Sequence, residues 1–228
     1  MYVISKPIYN ITPFTLLDYP NKSACIFWYA GCNMRCLYCY NPEIVLGKGN
    51  ITFSEAISFL KTRQGLLDAV VFSGGECLIH KNILDQIKTI KELGFLIKID
   101  TNGSNPNVLK QLIKSNLIDY VALDFKGTKS NFQQITKSDL FPQFEKSFEI
   151  LLQSDVKFEI RTTYHSRLIS ANKLNEMMRY LNSKNYTGNY FIQSFKNNVT
   201  TLSDLPFSDR VQEKNWLPSL SFNVICRN

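Results

Sequence analysis

The sequence is poor in several things, and each shortage narrows the reading. It has no apolar run of about 18 residues, so a membrane-spanning helix is not expected. Its first ten residues lack the basic-then-apolar order of a secretory signal, which makes a cytoplasmic protein the expectation. Histidine is scarce: His80 and His165 are the only two, neither stands at a recognisable spacing from an acid, and neither is assigned a role. There is no arginine-rich run, no low-complexity stretch and no repeat of residues. The net charge of +7, from 26 Lys+Arg against 19 Asp+Glu, comes from scattered lysines such as Lys81, Lys88, Lys91 and Lys98. That distribution describes a solvated basic surface or one that attracts an acidic protein, and no nucleic-acid partner is expected. With 44% hydrophobic and 20% charged residues over 228 positions, global disorder is excluded and one domain spanning 1–228 is expected.

What is present is an alternation. Short apolar runs at residues 24–29 (ACIFWY), 69–72 (AVVF), 95–99 (FLIKI) and 120–123 (YVAL) read as buried strands, and residues 156–162 and 190–195 as two more with stronger alternation. Residues 222–225 are a candidate final strand. Helical patterns fill the gaps. Thr52-Phe53-Ser54-Glu55 forms a capping box ahead of Ile57 and Leu60. Ile83, Leu84, Ile87 and Ile90 share a face that Gly94 stops, and Asn105-Pro106 opens the next helix. Phe144, Phe148 and Leu151, then Leu174, Met177, Met178 and Leu181, mark two further helices whose stripes are core packing. Apolar strands alternating with helices imply an α/β fold with a parallel sheet covered by helices. Six strands are too few for an eightfold barrel. A partial (β/α)6 barrel, parallel strands with helices outside, is the first expectation, and an open doubly wound sheet the second. In either, ligands bind at the C-terminal strand ends.

The six cysteines are Cys25, Cys32, Cys36, Cys39, Cys77 and Cys226, and three of them crowd into the eight residues directly after the first strand. An even count without a secretory signal argues for metal over disulfides. The spacing is C-x3-C-x2-C. Iron–sulfur cubanes usually take four cysteines, so three thiolates leave one iron open, and an open metal position is where chemistry occurs. A structural zinc site would need a fourth ligand from Cys77, His80, His165 or Cys226, and the usual second cysteine pair is missing.

The loop, with Tyr38 before its last cysteine, resembles that of the radical S-adenosylmethionine (SAM) superfamily, and Ser73-Gly74-Gly75-Glu76 resembles that superfamily's second signature. Thr15-Leu16-Leu17-Asp18-Tyr19-Pro20, Cys39-Tyr40-Asn41-Pro42, Asp100-Thr101-Asn102-Gly103, Asp124-Phe125-Lys126, Arg161-Thr162-Thr163 and Gln193-Ser194-Phe195 are similar to glycyl-radical-enzyme activating enzymes, and most of all to the activating proteins of anaerobic ribonucleoside-triphosphate reductase. The likeness runs from about residue 13 to 195 and leaves a tail from about 200 to 228. Two positions depart from the family pattern: Cys77 stands where proline usually follows Gly-Gly-Glu, and Tyr40 where histidine commonly follows the third cysteine.

The resemblance implies a [4Fe–4S] cluster on Cys32, Cys36 and Cys39, with the open iron chelating SAM. It implies that Gly74, Gly75 and Glu76 line the methionine moiety, with Glu76 near its ammonium. Asp100, Thr101 and Asp124 would hold the cofactor and, as in some members, a monovalent cation. Lys126 and Arg161 would reach the SAM carboxylate or a partner's peptide. On their own, Asp100-Thr101-Asn102-Gly103 is also an ordinary turn, and Lys126 and Arg161 are also ordinary structural cations. Cys77 is expected to be a neutral thiol. The implied partner is a glycyl radical enzyme, the large subunit of an anaerobic ribonucleotide reductase, with electrons from a flavodoxin or ferredoxin-type reductant. The competing expectation is a small-molecule radical SAM enzyme such as a 7-carboxy-7-deazaguanine synthase.

Overall fold

A computed structural model describes residues 5–211 and 219–227. Its centre is one eight-stranded sheet with the strands in chain order. β1 (Ile8–Thr15) pairs antiparallel with β2 (Ala24–Tyr29). Then β3 (Ala69–Gly74), β4 (Leu96–Thr101), β5 (Tyr120–Asp124), β6 (Lys157–Tyr164), β7 (Asn189–Ser194) and β8 (Asn223–Arg227) add in parallel, each beside the last. Among the described residues β1 and β8 form the two ends of the sheet, which therefore stays open as a partial barrel.

The six expected strands become β2 to β7, and the candidate strand at 222–225 contributes to β8. The sequence pattern missed β1. Its residues IYNITPFT include Asn10 and Pro13, which weaken strand propensity, and Pro cannot donate to a ladder. An edge strand tolerates both because one side of its backbone needs no partner.

Among the described residues seven α-helices lie between the strands: α1 (Pro42–Leu46), α2 (Phe53–Lys61), α3 (Ile83–Glu92), α4 (Pro106–Lys114), α5 (Phe132–Thr136), α6 (Phe141–Leu152) and α7 (Ala171–Ser183). The capping box forms in both directions: the Glu55 backbone N–H donates to the Thr52 hydroxyl, and the Thr52 N–H donates to the Glu55 carboxylate at 2.7 Å. Asn105 caps α4 by accepting from the Val108 N–H, with Pro106 in the first turn. Gly94, at φ +93°, follows α3 as its stop. α1 and α5 are five residues each, too short to carry a readable period.

Alternation along the strands sorts the two faces of the sheet. Cys25, Phe27 and Tyr29, Val70 and Phe72, Ile97 and Ile99, Val121 and Leu123 point to the helices and join one large apolar core with Phe144, Phe148, Leu174, Met177 and Leu181. Ala24, Ile26, Ala69 and Val71 form a small second cluster on the inner face. Further along the same inner face, toward the C-terminal strand ends, come Ser73, Lys98, Asp100, Asp124 and Arg161.

Candidate active site

The cysteine loop begins where β2 ends and is tied down from three directions. The Gly31 N–H donates to the Ile44 carbonyl in α1 at 2.8 Å. Arg35 and Leu37 donate their backbone N–H groups to Thr136 and Ile135 in α5, at 2.8 and 3.0 Å. From the tail, Leu202 and Ser203 donate to the carbonyls of Cys39 and Leu37, at 3.0 and 3.2 Å. The Arg35 guanidinium also donates to the carbonyls of Cys32 and Met34. A loop of small turns thus carries its polar backbone on partners outside itself, which holds the three thiols in place.

Cys32, Cys36 and Cys39 line one cavity of about 140 Å³, together with Met34, Tyr38, Tyr40, Asn41, Gly74, Gly75, Asn102, Asp124, Lys126 and Thr163. All three are free thiols. Among the described residues no three His, Cys, Asp or Glu side chains converge closely enough to hold a single metal ion. Three thiols brought by one loop to one cavity suit a cubane, whose ligands bind separate irons. Burial pushes the Cys32 thiol up to about 11 and raises that of Cys36. Thiols so placed are protonated and unreactive when bare and become ligands when iron displaces the proton. The donor set and the free space beside it therefore fit a three-cysteine cluster.

The glycines make this cavity possible. The Gly75 N–H donates to the Tyr29 carbonyl and the Glu76 N–H to the Gly31 carbonyl, both at 2.9 Å, so the end of β3 runs directly under the start of the cysteine loop. A Cβ on Gly75 would overlap the Gly31 carbonyl oxygen and crowd Cys32 Cβ at 3.2 Å. Gly74 has φ +114°, and a Cβ there would overlap the Tyr29 backbone. Both are places where a side chain cannot fit.

Glu76 sits differently from the position by the SAM ammonium that the resemblance implies. It is fully buried, off the cavity, and accepts from the Leu78 N–H at 3.2 Å, the Thr101 hydroxyl at 2.8 Å and the Asn102 N–H at 2.7 Å. Burial raises its carboxyl to about 7 despite those three donors. Here Glu76 clamps the turn after β3 to the turn after β4. Thr101 belongs to that clamp and points away from the cavity. Cys77 is also outside it: fully buried, with Sγ 3.8 and 3.7 Å from the Phe72 and Asp100 carbonyls, and its thiol raised well above the usual value by burial, then by Glu76 and Asp100. It is not placed as a fourth cluster ligand.

The inner wall behind the cavity is a chain of charges. Lys98, with a side chain 2% exposed, pairs with Asp100. Arg161 bridges Asp100 at 3.3 Å and Asp124 at 3.0 Å, and Lys126 pairs with Asp124 at 3.3 Å. Burial raises the Asp100 and Asp124 carboxyls, but the neighbouring cations outweigh it and both end below the ordinary range. Burial alone would lower Lys126, yet the Asp124 carboxylate beside it holds its ammonium well above the usual value. Of this chain, Asp124 and Lys126 reach the cavity, while Asp100 and Arg161 stand behind it.

Several cavity residues were absent from the sequence-based site. Asn102 donates its amide to Asn33 Oδ1 at 3.0 Å and lies 3.8 Å from Cys32 Sγ; its place in the Asp-Thr-Asn-Gly strand end was the available signal. Thr163 follows Arg161 at the next inward position of β6. Tyr40 stacks on Phe195 with ring centres 5.4 Å apart and accepts from the Lys196 N–H at 2.7 Å. It thereby ties the loop to the segment after β7.

Residues 26–180 match the family model of the radical SAM superfamily. The chain belongs to the radical SAM superfamily and is a radical SAM enzyme. Within it, the chain is 32% identical over 197 residues, covering 82% of its length and 79% of the relative's, to a Methanocaldococcus jannaschii protein whose name is that of a glycyl-radical enzyme activating enzyme. It is 33% identical over 126 residues to the pyruvate formate-lyase-activating enzyme of Clostridium pasteurianum, covering 52% of each chain, so the match spans about half of that enzyme. The fold is also that of Streptococcus suis SuiB, at TM-score 0.64 and 13% identity over 87% of this chain and 47% of SuiB.

Proposed function

We propose that the protein activates a glycyl radical enzyme, an anaerobic ribonucleotide reductase, by creating a radical on a backbone glycine of that partner. The observation that carries this reading is a groove of about 960 Å³ lined by Leu17, Asp18, Tyr40, Asn41, Thr163, Gln193, Lys196 and Arg227, among others. It shares Tyr40, Asn41 and Thr163 with the thiol cavity. Leu17 and Asp18 follow β1 and Arg227 ends β8, so the groove lies between the first and last strands of the open sheet. An extended peptide needs an open approach of this kind, whereas small substrates are usually enclosed.

When bound, a [4Fe–4S] cluster would supply the electron that splits SAM into methionine and a 5′-deoxyadenosyl radical, which takes the glycine hydrogen atom. The chain's residues hold and shield. Cys32, Cys36 and Cys39 would hold the cluster, leaving one iron for SAM. Gly74 and Gly75 let backbone approach the ligand. Lys126, kept charged by Asp124, offers an ammonium to a carboxylate at the cavity wall. Met34 and Tyr38, 1% and 4% exposed, keep water from that wall. The net charge of +7 favours encounter with an acidic partner, and electrons would come from a flavodoxin or ferredoxin-type donor.

The test is electron paramagnetic resonance after mixing reconstituted protein, SAM and reductant with the cognate reductase. A doublet glycyl signal, lost when the partner's glycine is replaced by alanine, is expected. No such signal, alongside turnover of a free small molecule, would overturn the reading.

A further inference from the structure

The monovalent cation that the resemblance implies at Asp100, Thr101 and Asp124 does not fit the residues present. Thr101 Oγ1 is turned to the helix side, donating to Glu76 and accepting from the Gly103 N–H at 3.0 Å. All four carboxylate oxygens of the two aspartates already face a fixed cation. Asp100 Oδ1 takes Lys98 and its Oδ2 takes Arg161; Asp124 Oδ1 takes Arg161 and its Oδ2 takes Lys126. Asp100 Oδ2 also accepts from the Ser73 hydroxyl at 3.2 Å. Glu159, buried two positions before Arg161 on the same face of β6, accepts from the Tyr120 hydroxyl at 3.0 Å. Counting it, the inner wall holds Lys98, Lys126 and Arg161 against Asp100, Asp124 and Glu159. It is balanced without any bound ion.

We propose that Arg161 is a built-in counter-ion, filling the gap between Asp100 and Asp124 so that this site binds its SAM without an alkali cation. The guanidinium suits the task. Its planar donors reach both carboxylates at once, with Nε and Nη2 on Asp124 at 3.1 and 3.0 Å and Nη1 on Asp100 at 3.3 Å. An alkali ion placed between the two aspartates would have to displace the guanidinium and would meet the Lys98 and Lys126 ammoniums on either side. Arg161 acts through Asp124, which lines the cavity, and is therefore a positioning residue.

The proposal rests on SAM occupying this cavity, and the experiment separates the two ideas. Anaerobically reconstituted protein is titrated with SAM in potassium, sodium and tetramethylammonium chloride at equal ionic strength, and its melting temperature is measured in the same salts without SAM. Wild type is expected to show the same affinity within about twofold and the same melting temperature in all three salts. Arg161→Met opens the gap between the aspartates. Its SAM affinity should fall about tenfold in tetramethylammonium and recover with potassium or sodium, the size of an ordinary coupling between two sites. Its melting temperature should rise with the alkali ions, and Arg161→Lys should restore indifference to them. A wild-type affinity or melting temperature that climbs with potassium would overturn the proposal, as would an Arg161→Met protein that alkali ions do not help. If Arg161→Met does not fold, the wild-type salt series decides. If SAM binds in no salt, the functional reading falls, and the melting temperatures still decide this one.

Discussion

Asp100→Asn is the sharpest probe of the inner wall. The change keeps shape and removes one charge. Lys98 then loses its ion pair while its side chain, 2% exposed, stays out of water. Arg161 keeps Asp124, so the damage concentrates on Lys98. Leaving one member of a buried pair uncompensated costs about 3–5 kcal/mol. In a chain of this size each kcal/mol moves the melting temperature by roughly 2–4 °C, so a fall of about 6–20 °C is expected at neutral pH. The pH dependence has a definite sign. The folded Asp100 carboxyl lies below its ordinary value, so it contributes stability above the unfolded value near pH 3.9, and that contribution is lost as pH falls through the folded value. The melting curves of wild type and Asp100→Asn should therefore converge at the acid end and separate above about pH 4. A second substitution, Lys98→Met, removes the orphaned charge, and the double variant should recover about 1–3 kcal/mol relative to Asp100→Asn alone. Thermal denaturation of the reconstituted protein from pH 3 to 8 measures all three. A single variant within about 1 kcal/mol of wild type at pH 7, or a double variant no better than the single, would refute the reasoning.

The remaining expectations concern the loop and its supports. Cys36→Ala should fail to hold a full [4Fe–4S] complement on anaerobic reconstitution, read by iron and sulfide assay; four irons retained would count against the three-cysteine assignment. Gly75→Ala forces a methyl into the Gly31 carbonyl, which should cost about 1–3 kcal/mol and weaken SAM binding in equilibrium dialysis. Leu202→Pro deletes the N–H that donates to the Cys39 carbonyl, leaving a loop carbonyl short of a partner at about 1–3 kcal/mol. Its cluster should bleach faster than wild type when challenged with an iron chelator, and an unchanged rate would show that the tail does not hold the loop.

The parts that local pattern specifies were readable from the sequence. β2 to β5 are buried along most of their length, so they appear as apolar runs, β6 and β7 show as alternation, and the capping box at Thr52 and the stop at Gly94 are short-range chemistry. The grouping of the three cysteines around one cavity was readable because they lie on one contiguous loop. What pattern could not supply is pairing across the sheet. Arg161 meets Asp100 over 61 positions and Asp124 over 37, and nothing in one sequence gives the register that brings them together. Lys98 reads in the sequence as one of the scattered surface lysines, yet it is 2% exposed and paired with Asp100; its two-residue spacing from Asp100 inside FLIKID was the signal that placed both on one face of β4. Cys77, expected as a neutral thiol, is adjacent in sequence to Glu76, and the turn after β3 aims its thiol at the Phe72 and Asp100 carbonyls and away from the cavity.

The charged wall also bears on why the site can be open on one side. A row of six ionic side chains along the inner face of an apolar sheet costs desolvation, and apolar replacements of equal volume often pack as well or better. Five of them are ion-paired with one another and Glu159 accepts from the Tyr120 hydroxyl, so these groups hold fixed positions instead. Asp124 and Lys126 reach the cavity with their partners already engaged, so a ligand meets preset charges with little reorganisation. Rigidity on that side lets the other side remain unfinished. Leu17 is 91% exposed at the groove, and Leu16 and Phe14 beside it are 64% and 56% exposed. An apolar, uncovered edge next to a pre-organised wall is the division of labour expected where chemistry is set by the chain and the last wall of the site is brought by a partner.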